Sequence, residues 1–164
     1  MIFKYCVKCG GLLQLTPIEG RPRLQCPKCG FIFYENSKPT SAGVIIKDGK
    51  ILLCKRAVNP KKGLWDLPGG FLEAGEHPEQ GLHRELKEEL GVTAEIEKVL
   101  GFYLDQYGED NYHTLNIAFL CHIVSGTPMP HDDVAEVQWF DPSQLPEMAW
   151  DSEQKFISNF FYGI

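Results

Sequence analysis

Gly70-Phe-Leu-Glu-Ala-Gly-Glu76-His-Pro-Glu-Gln-Gly-Leu-His-Arg84-Glu-Leu-Lys-Glu-Glu-Leu-Gly-Val92 is the stretch on which the reading of this chain turns. Its second half is predicted to be a helix from Pro78 to Leu90: Pro78 suits a first turn, Leu82, Leu86 and Leu90 recur every four residues, and Gly91 can end the helix left-handed. At about 100° per residue the leucines cover roughly 80° of one face, and Glu85, Glu88 and Glu89 cluster on its flank. Glu85 and Glu89 are i,i+4 neighbours, an arrangement that costs about 0.2–0.5 kcal/mol on an exposed helix and more where water is excluded. Taken alone, such a pair reads as a solvated acidic face or as carboxylates held for chemistry.

Outward from this helix the pattern is that of strands. Ala42 to Lys47 and Lys50 to Arg56 are apolar runs joined by Asp48-Gly49, a two-residue hairpin turn, so a mixed sheet is expected to begin near Ser41. Pro60, Gly63, Pro68, Gly69 and Gly70 mark an irregular loop that Trp65 and Leu67 can anchor. Further strands are expected at Glu95–Leu104, Leu115–Ile123 and Ala135–Phe140. A closing helix is expected over 151–162, capped by Asp151 or Ser152, with Phe156, Ile157, Phe160 and Phe161 on its buried face.

The first 40 residues differ in composition. Lys4, Lys8, Arg21, Arg23, Lys28 and Lys38 stand against Glu19 and Glu35, a balance of +4 in a chain whose net charge is −6. Cys6-x2-Cys9 and Cys26-x2-Cys29 have the spacing of a four-thiolate zinc site, each pair followed by a glycine that lets the backbone turn its amides toward sulfur. Four protein ligands leave zinc no open position, so its role would be structural, contributing on the order of 10 kcal/mol to a segment too short for a core of its own. The competing reading is two disulfides, which suit a secreted module. A boundary is placed near Pro39, giving a ribbon over 1–39 and a main domain over 40–164.

At 164 residues, 43% hydrophobic and 12% aromatic, the chain has the makings of one domain with a small appendage, and wholesale disorder is excluded. No apolar run approaches the roughly 20 residues of a membrane helix, and the start lacks the layout of a secretory signal, so a cytoplasmic location and no membrane partner are expected. The acidic balance disfavours nucleic acid as a general partner.

Gly70, Glu76, Arg84, Glu85, Leu86, Glu88, Glu89, Gly91 and Val92 fill every fixed position of G-x5-E-x7-R-E-U-x-E-E-x-G-U, where U is a bulky aliphatic residue. The stretch thereby resembles the signature of Nudix hydrolases. The resemblance implies an α/β/α sandwich with a mixed sheet, a homodimer, and a metal-dependent hydrolase of nucleoside diphosphates linked to another moiety. It implies Glu85, Glu88, Glu89 and the carbonyl of Gly69 as ligands of catalytic Mg²⁺ or Mn²⁺, cations whose hardness suits carboxylate oxygens and whose charge reverses the sign met by a pyrophosphate. Arg84 would orient the glutamates, Glu76 would pair with it or brace the loop, and Gly69 and Gly70 would keep side chains away from the metals. The general base falls to Asp133 or Glu136, each of which could instead cap the following strand. Lys55 and Arg56, with Lys61 and Lys62, could steer phosphates; Tyr103, Tyr107 and Tyr112 could stack on a base or flavin, or be half-buried strand residues.

Within the family the chain resembles zinc-ribbon members acting on ADP-ribose and FAD, through Cys26-Pro-Lys-Cys29-Gly-Phe-Ile-Phe-Tyr34-Glu-Asn36, Leu52-Leu-Cys-Lys-Arg56 and Gly63-Leu-Trp-Asp-Leu-Pro-Gly-Gly70. The SQPWPFPxS-like segment of NADH pyrophosphatases is absent after the box. Hydrolysis of NAD(H) or of dinucleoside polyphosphates is the enzymatic alternative. A nucleotide sensor whose ribbon contacts nucleic acid or a protein is the alternative of another class.

Overall fold

Each Cys-x2-Cys pair folds into a tight knuckle: the amides of Gly10 and Gly30 donate to the carbonyls of Cys6 and Cys26 at 2.9 and 2.8 Å, and those of Cys6 and Cys26 donate to Gly11 and Phe31 at 2.7 and 2.8 Å. A three-stranded antiparallel sheet joins them, β1 (Gln14–Ile18), β2 (Arg21–Gln25) and β3 (Ile32–Phe33), in the order β1-β2-β3. The computed structural model describes residues 3–108 and 112–163, and this first unit ends at Ser37.

The second unit begins at Lys38, inside the strand that was expected near Ser41, because Lys38 and Pro39 already pair with Thr114 and Leu115. Its sheet runs β10 (Val134–Phe140), β5 (Lys50–Arg56), β4 (Lys38–Lys47), β9 (Tyr112–Ser125), β8 (Thr93–Tyr107); β6 (Trp65–Asp66) is added on β5 and β7 (Gly69–Phe71) on β4. The β4–β9 pairing is parallel and the others antiparallel, so the sheet is mixed. β8 and β9 run well beyond their expected ends, toward Tyr107 and Tyr112; Glu109, Asp110 and Asn111 lie outside the described residues.

One helix lies on each face. Helix α1 (Pro78–Leu90) buries Leu82, Leu86 and Leu90 against Ile45, Leu52, Phe119 and Val134, and Gly91 caps it at φ 68°. Its start is closed by a capping box that periodicity alone does not reveal: His77 Nδ1 accepts from the Glu79 amide and Gln80 from the His77 amide. Helix α2 (Asp151–Tyr162) covers the other face with Ile157 buried and Phe156, Phe160 and Phe161 partly so, beside Val44, Leu53, Trp65 and Leu67. Its N-cap is Trp150 rather than Asp151 or Ser152, and no side chain caps it, because the serine hydroxyl is engaged with Asp105 instead. Among the described residues no helix is long and apolar enough to cross a membrane.

Candidate functional site

The four cysteine sulfurs lie within 4.8 Å of one another, with Cys6 and Cys29 3.7 Å apart and Cys9 and Cys26 3.5 Å apart. Tetrahedral zinc at about 2.3 Å from each thiolate sets the sulfurs about 3.8 Å apart, so the donor set fits that ion. The Lys8 amide points at Cys6 Sγ (3.4 Å), as the knuckle geometry favours for a thiolate. All six cysteines are unbridged; Cys54 and Cys121 are buried in the main sheet.

In the second unit, β7 and the first turns of α1 meet around Arg84. Its guanidinium donates from Nε and Nη2 to the two oxygens of Glu76 (2.9 Å each), from Nη1 to Glu85 (2.8 Å) and Glu88 (3.1 Å), and from Nη2 to the Phe71 carbonyl (3.1 Å). One cation thus gathers three carboxylates and clips them to the glycine loop. The Glu73 amide also donates to Glu76, bracing the turn before α1. Hydrogen bonding to Arg84 holds the Glu76 carboxyl down to about 2, while Glu85 is pushed up by burial against the opposing pull of Arg84.

Glu89 has no such partner. It is 7% exposed, accepts a 2.8 Å hydrogen bond from the Gly69 amide, and is pushed well above the usual carboxylate range by burial, with Asp66, Glu85 and Asp133 adding to the rise. Glycine leaves needed room at both loop positions. Gly69 sits at φ 142°, where a Cβ would lie 2.1 Å from the Ser41 carbonyl oxygen of β4; at Gly70 a Cβ would lie 2.5 Å from Glu85 Oε1.

These groups open onto a cleft of about 250 Å³. Of the site residues singled out from sequence, Arg56, Gly69, Gly70, Glu85, Glu89, Tyr103, Tyr107 and Asp133 line it. Glu88 lies on the outer flank, half exposed, and Glu136 faces away, paired with Lys55 at 3.3 Å across β10 and β5. Asp133 reaches the cleft because its segment is pinned twice: the His131 amide donates to the Glu89 carbonyl at 2.9 Å, and the Asp133 carbonyl accepts from Ala57 at 2.7 Å. Tyr107 packs against Phe71, Tyr112 and Trp150, with ring centroids 5.1, 5.6 and 5.4 Å away, and Lys38 Nζ lies 3.9 Å from the centre of the Tyr112 ring.

Sequence reasoning passed over much of the cleft's lining: Asp66, Asp105, Trp150 and Glu153, with Thr40, Thr114 and Asn116. Arg56 Nη1 donates to Asp66 at 2.7 Å, and burial still pushes Asp66 upward against that pull. Glu153 is 1% exposed, accepts from the Leu67 amide at 2.9 Å, and is driven far up by burial and by Asp66 beside it. A signal existed: 153 continues the 157 and 161 stripe of α2, and an acid on a buried stripe invites a search for its partner.

Eight acidic side chains therefore line the cleft, Asp66, Glu73, Glu85, Glu89, Asp105, Asp132, Asp133 and Glu153, against Arg56 as the one basic lining residue among those described. Carboxylate oxygens, the hard donors that divalent cations prefer, are thus in large excess over positive charge in the cleft.

Known proteins carry the same plan. Residues 37–160 match the NUDIX domain and residues 4–35 the Nudix N-terminal zinc-ribbon family. The chain is 41% identical to an ADP-ribose pyrophosphatase of Methanocaldococcus jannaschii over 68% of its own length and 66% of that protein's. It is 31% identical to the NAD-capped RNA hydrolase NudC of Vibrio atlanticus over 89% of its length, spanning 52% of that relative. The chain thus covers between about half and two thirds of the curated relatives it matches. A crystal structure of a NUDIX hydrolase from Nitrosomonas europaea superposes with a TM-score of 0.78 at 31% identity, covering 98% of this chain and 94% of that one. With the glutamate helix, the glycine loop pinned to it and the four-cysteine module all matched, the chain belongs to the Nudix hydrolase family, in its zinc-ribbon form.

Proposed function

We propose that this protein is a divalent-cation-dependent pyrophosphohydrolase of nucleoside diphosphates linked to a second moiety, with ADP-ribose as the leading substrate. The acid excess of the cleft is the observation that carries this reading. An anhydride bearing its own negative charge is repelled by eight carboxylates and one arginine unless cations are shared between them. Glu85, Glu88, Glu89 and the Gly69 carbonyl would hold Mg²⁺ or Mn²⁺. When bound, such ions supply charge neutralisation at the pyrophosphate and acidify the attacking water.

The chain's own residues do the rest. Arg84 keeps Glu85 and Glu88 aligned through a rigid fork, with Glu76 as its counter-anchor. Asp133 is favoured over Glu136 as the acceptor of the water proton, because it faces the cleft while Glu136 is engaged with Lys55. Arg56 can meet a phosphate or ribose oxygen, and Tyr107, whose hydroxyl lies 3.5 Å from Arg56 Nη2, lines the same cleft. Water attacks one phosphorus, the anhydride P–O bond breaks, and ADP-ribose yields AMP and ribose 5-phosphate. Four cysteines of the first unit would hold structural zinc, and a homodimer is favoured by Phe102 and Leu104, 65% and 61% exposed on the edge strand β8.

The archaeal relative at 41% identity supports ADP-ribose. A second reading, hydrolysis of NAD or NAD-capped RNA, is favoured by the NudC relatives, whose match takes in 88–89% of the chain. A substrate panel of ADP-ribose, FAD, NADH, NAD-capped RNA and Ap4A, with Mg²⁺ or Mn²⁺ and the released mononucleotide as readout (AMP from the free nucleotides, nicotinamide mononucleotide from NAD-capped RNA), decides between them. A kcat/KM for ADP-ribose at least tenfold above the others supports the first reading, and the reverse order for NAD-capped RNA supports the second.

A further inference from the structure

Three consecutive residues of the glycine loop are each held by a different element. The Leu67 amide donates to Glu153 of α2 at 2.9 Å, the Pro68 carbonyl accepts from Gly43 of β4 at 2.8 Å, and the Gly69 amide donates to Glu89 of α1 at 2.8 Å. The lead-in to α2 is tied to the same stretch: Trp65 donates to the Glu147 carbonyl at 3.1 Å and accepts from the Ala149 amide at 2.7 Å. The closing helix is therefore fastened to the segment whose next residue faces Glu89.

The fastening is made by an unusual residue. Glu153 is 99% buried, its Oε1 receives the Leu67 amide, and its Oε2 has no partner while both it and neighbouring Asp66 are ionised. Burial and Asp66 beside it push the Glu153 carboxyl well up, while Asp66 takes the Arg56 guanidinium at 2.7 Å. A buried acid beside another acid is costly, and an apolar residue would pack in α2 without that cost. What Glu153 supplies is an acceptor: its Oε1 takes the Leu67 amide at 2.9 Å and, more distantly, the Tyr103 hydroxyl at 3.5 Å.

We propose that Glu153 is a positioning residue for the metal site, holding the Leu67–Gly69 segment in register so that the Gly69 amide and carbonyl meet Glu89 and its ion. This rests on the reading of Glu89 as a metal ligand. It assigns the far helix, outside the glutamate helix and glycine loop, a part in cation affinity.

The test measures Mn²⁺ binding to the whole purified protein by electron paramagnetic resonance, half-saturation of activity by Mg²⁺, and the Leu67 and Gly69 amide signals by NMR. Glu153→Gln keeps the acceptor and can donate to Asp66. Glu153→Leu removes both roles at similar volume, and Glu153→Asp withdraws the carboxyl by about 1.5 Å. The expected result is Mn²⁺ affinity within about twofold of the parent for Gln, and weakened about tenfold or more for Leu and Asp, with the two amide signals displaced. For those two variants kcat at saturating metal falls less than the affinity does. Folded Leu or Asp variants with parental Mn²⁺ affinity overturn the proposal, as does a Gln variant as impaired as Leu. If Leu fails to fold, the Asp and Gln pair decides. Glu89→Gln is the control: loss of Mn²⁺ binding there with retention in the Glu153 variants refutes the positioning role alone, whereas parental Mn²⁺ binding in Glu89→Gln refutes the metal-site reading and this proposal together.

Discussion

Replacing the two loop glycines by alanine separates what each supplies. At Gly70 the added Cβ lies 2.5 Å from Glu85 Oε1 and 2.7 Å from its Cδ, so the carboxylate must retreat by about 0.9 Å to reach ordinary contact. The yielding group is the end of a flexible side chain, and the fold can absorb the change with a loss of about 1 kcal/mol. The retreat strains the 2.8 Å hydrogen bond from Arg84 and moves a metal-facing oxygen, and misplacement on the scale of 1 Å costs about 10²-fold in rate. At Gly69 the clash is with backbone: Cβ falls 2.1 Å from Ser41 O and 2.9 Å from Ala42 Cα, at a φ of 142° that side chains avoid. Backbone strain of about 1–3 kcal/mol and over-packing of similar size should together remove about 3–5 kcal/mol of stability. Urea unfolding and initial rates of AMP release, both at saturating Mg²⁺, measure the two effects. Gly70→Ala retaining kcat within threefold, or Gly69→Ala unfolding at the parental midpoint, refutes the reasoning.

Arg84→Lys should lower kcat about 10²-fold despite the retained charge, since an ammonium cannot reproduce the fork that spans Glu76 and Glu85; rescue by lysine in steady-state rates contradicts this. Glu153 carries a raised carboxyl, so its contribution to stability is full below the unfolded value and is lost as pH rises through the folded one. Thermal melts of parent and Glu153→Gln should therefore diverge in favour of Gln between pH 5 and pH 9, and a difference in Tm independent of pH speaks against a raised Glu153. One zinc per chain is expected by elemental analysis, and Cys26→Ser should unfold the first unit while the second retains its α/β spectrum; metal-free protein with an intact ribbon contradicts the four-thiolate site. Phe102→Asp should convert a homodimer to monomer in analytical ultracentrifugation, and a parental sedimentation coefficient places the interface elsewhere.

Helix α1 was legible because its signals are local: Pro78 at the start, leucines at every fourth position and Gly91 at the end all act within one turn of their neighbours. The Asp48-Gly49 hairpin was legible for the same reason, and both residues take positive φ. The parallel pairing of β4 with β9 was not, since its register joins Thr40 to Asn116 across 76 residues. The extra length of β8 and β9 was hidden as well, because polar residues there have side-chain partners that the pattern does not reveal: Asp105 is engaged by Ser152 of α2, and Thr114 by Asn116 two residues along its own strand. At the site, the glutamates and Arg84 stood out through their spacing. Asp66 and Glu153 did not, because burial of an acid depends on what folds over it, here Arg56 on one side and the Leu67 amide on the other. The reason for Gly69 also lay outside local sequence: its missing Cβ makes room for the Ser41 carbonyl of β4.

The most direct test of a cation-dependent anhydride hydrolase follows AMP and ribose 5-phosphate release from ADP-ribose by ³¹P NMR, using chelator-treated protein, then Mg²⁺ readdition, in parent and Glu89→Gln. The account predicts no turnover without the cation, recovery on readdition in the parent, and a loss of at least about 10³-fold in a Glu89→Gln variant with parental circular dichroism. Turnover that persists in the chelated parent, or in Glu89→Gln at the parental rate, contradicts it.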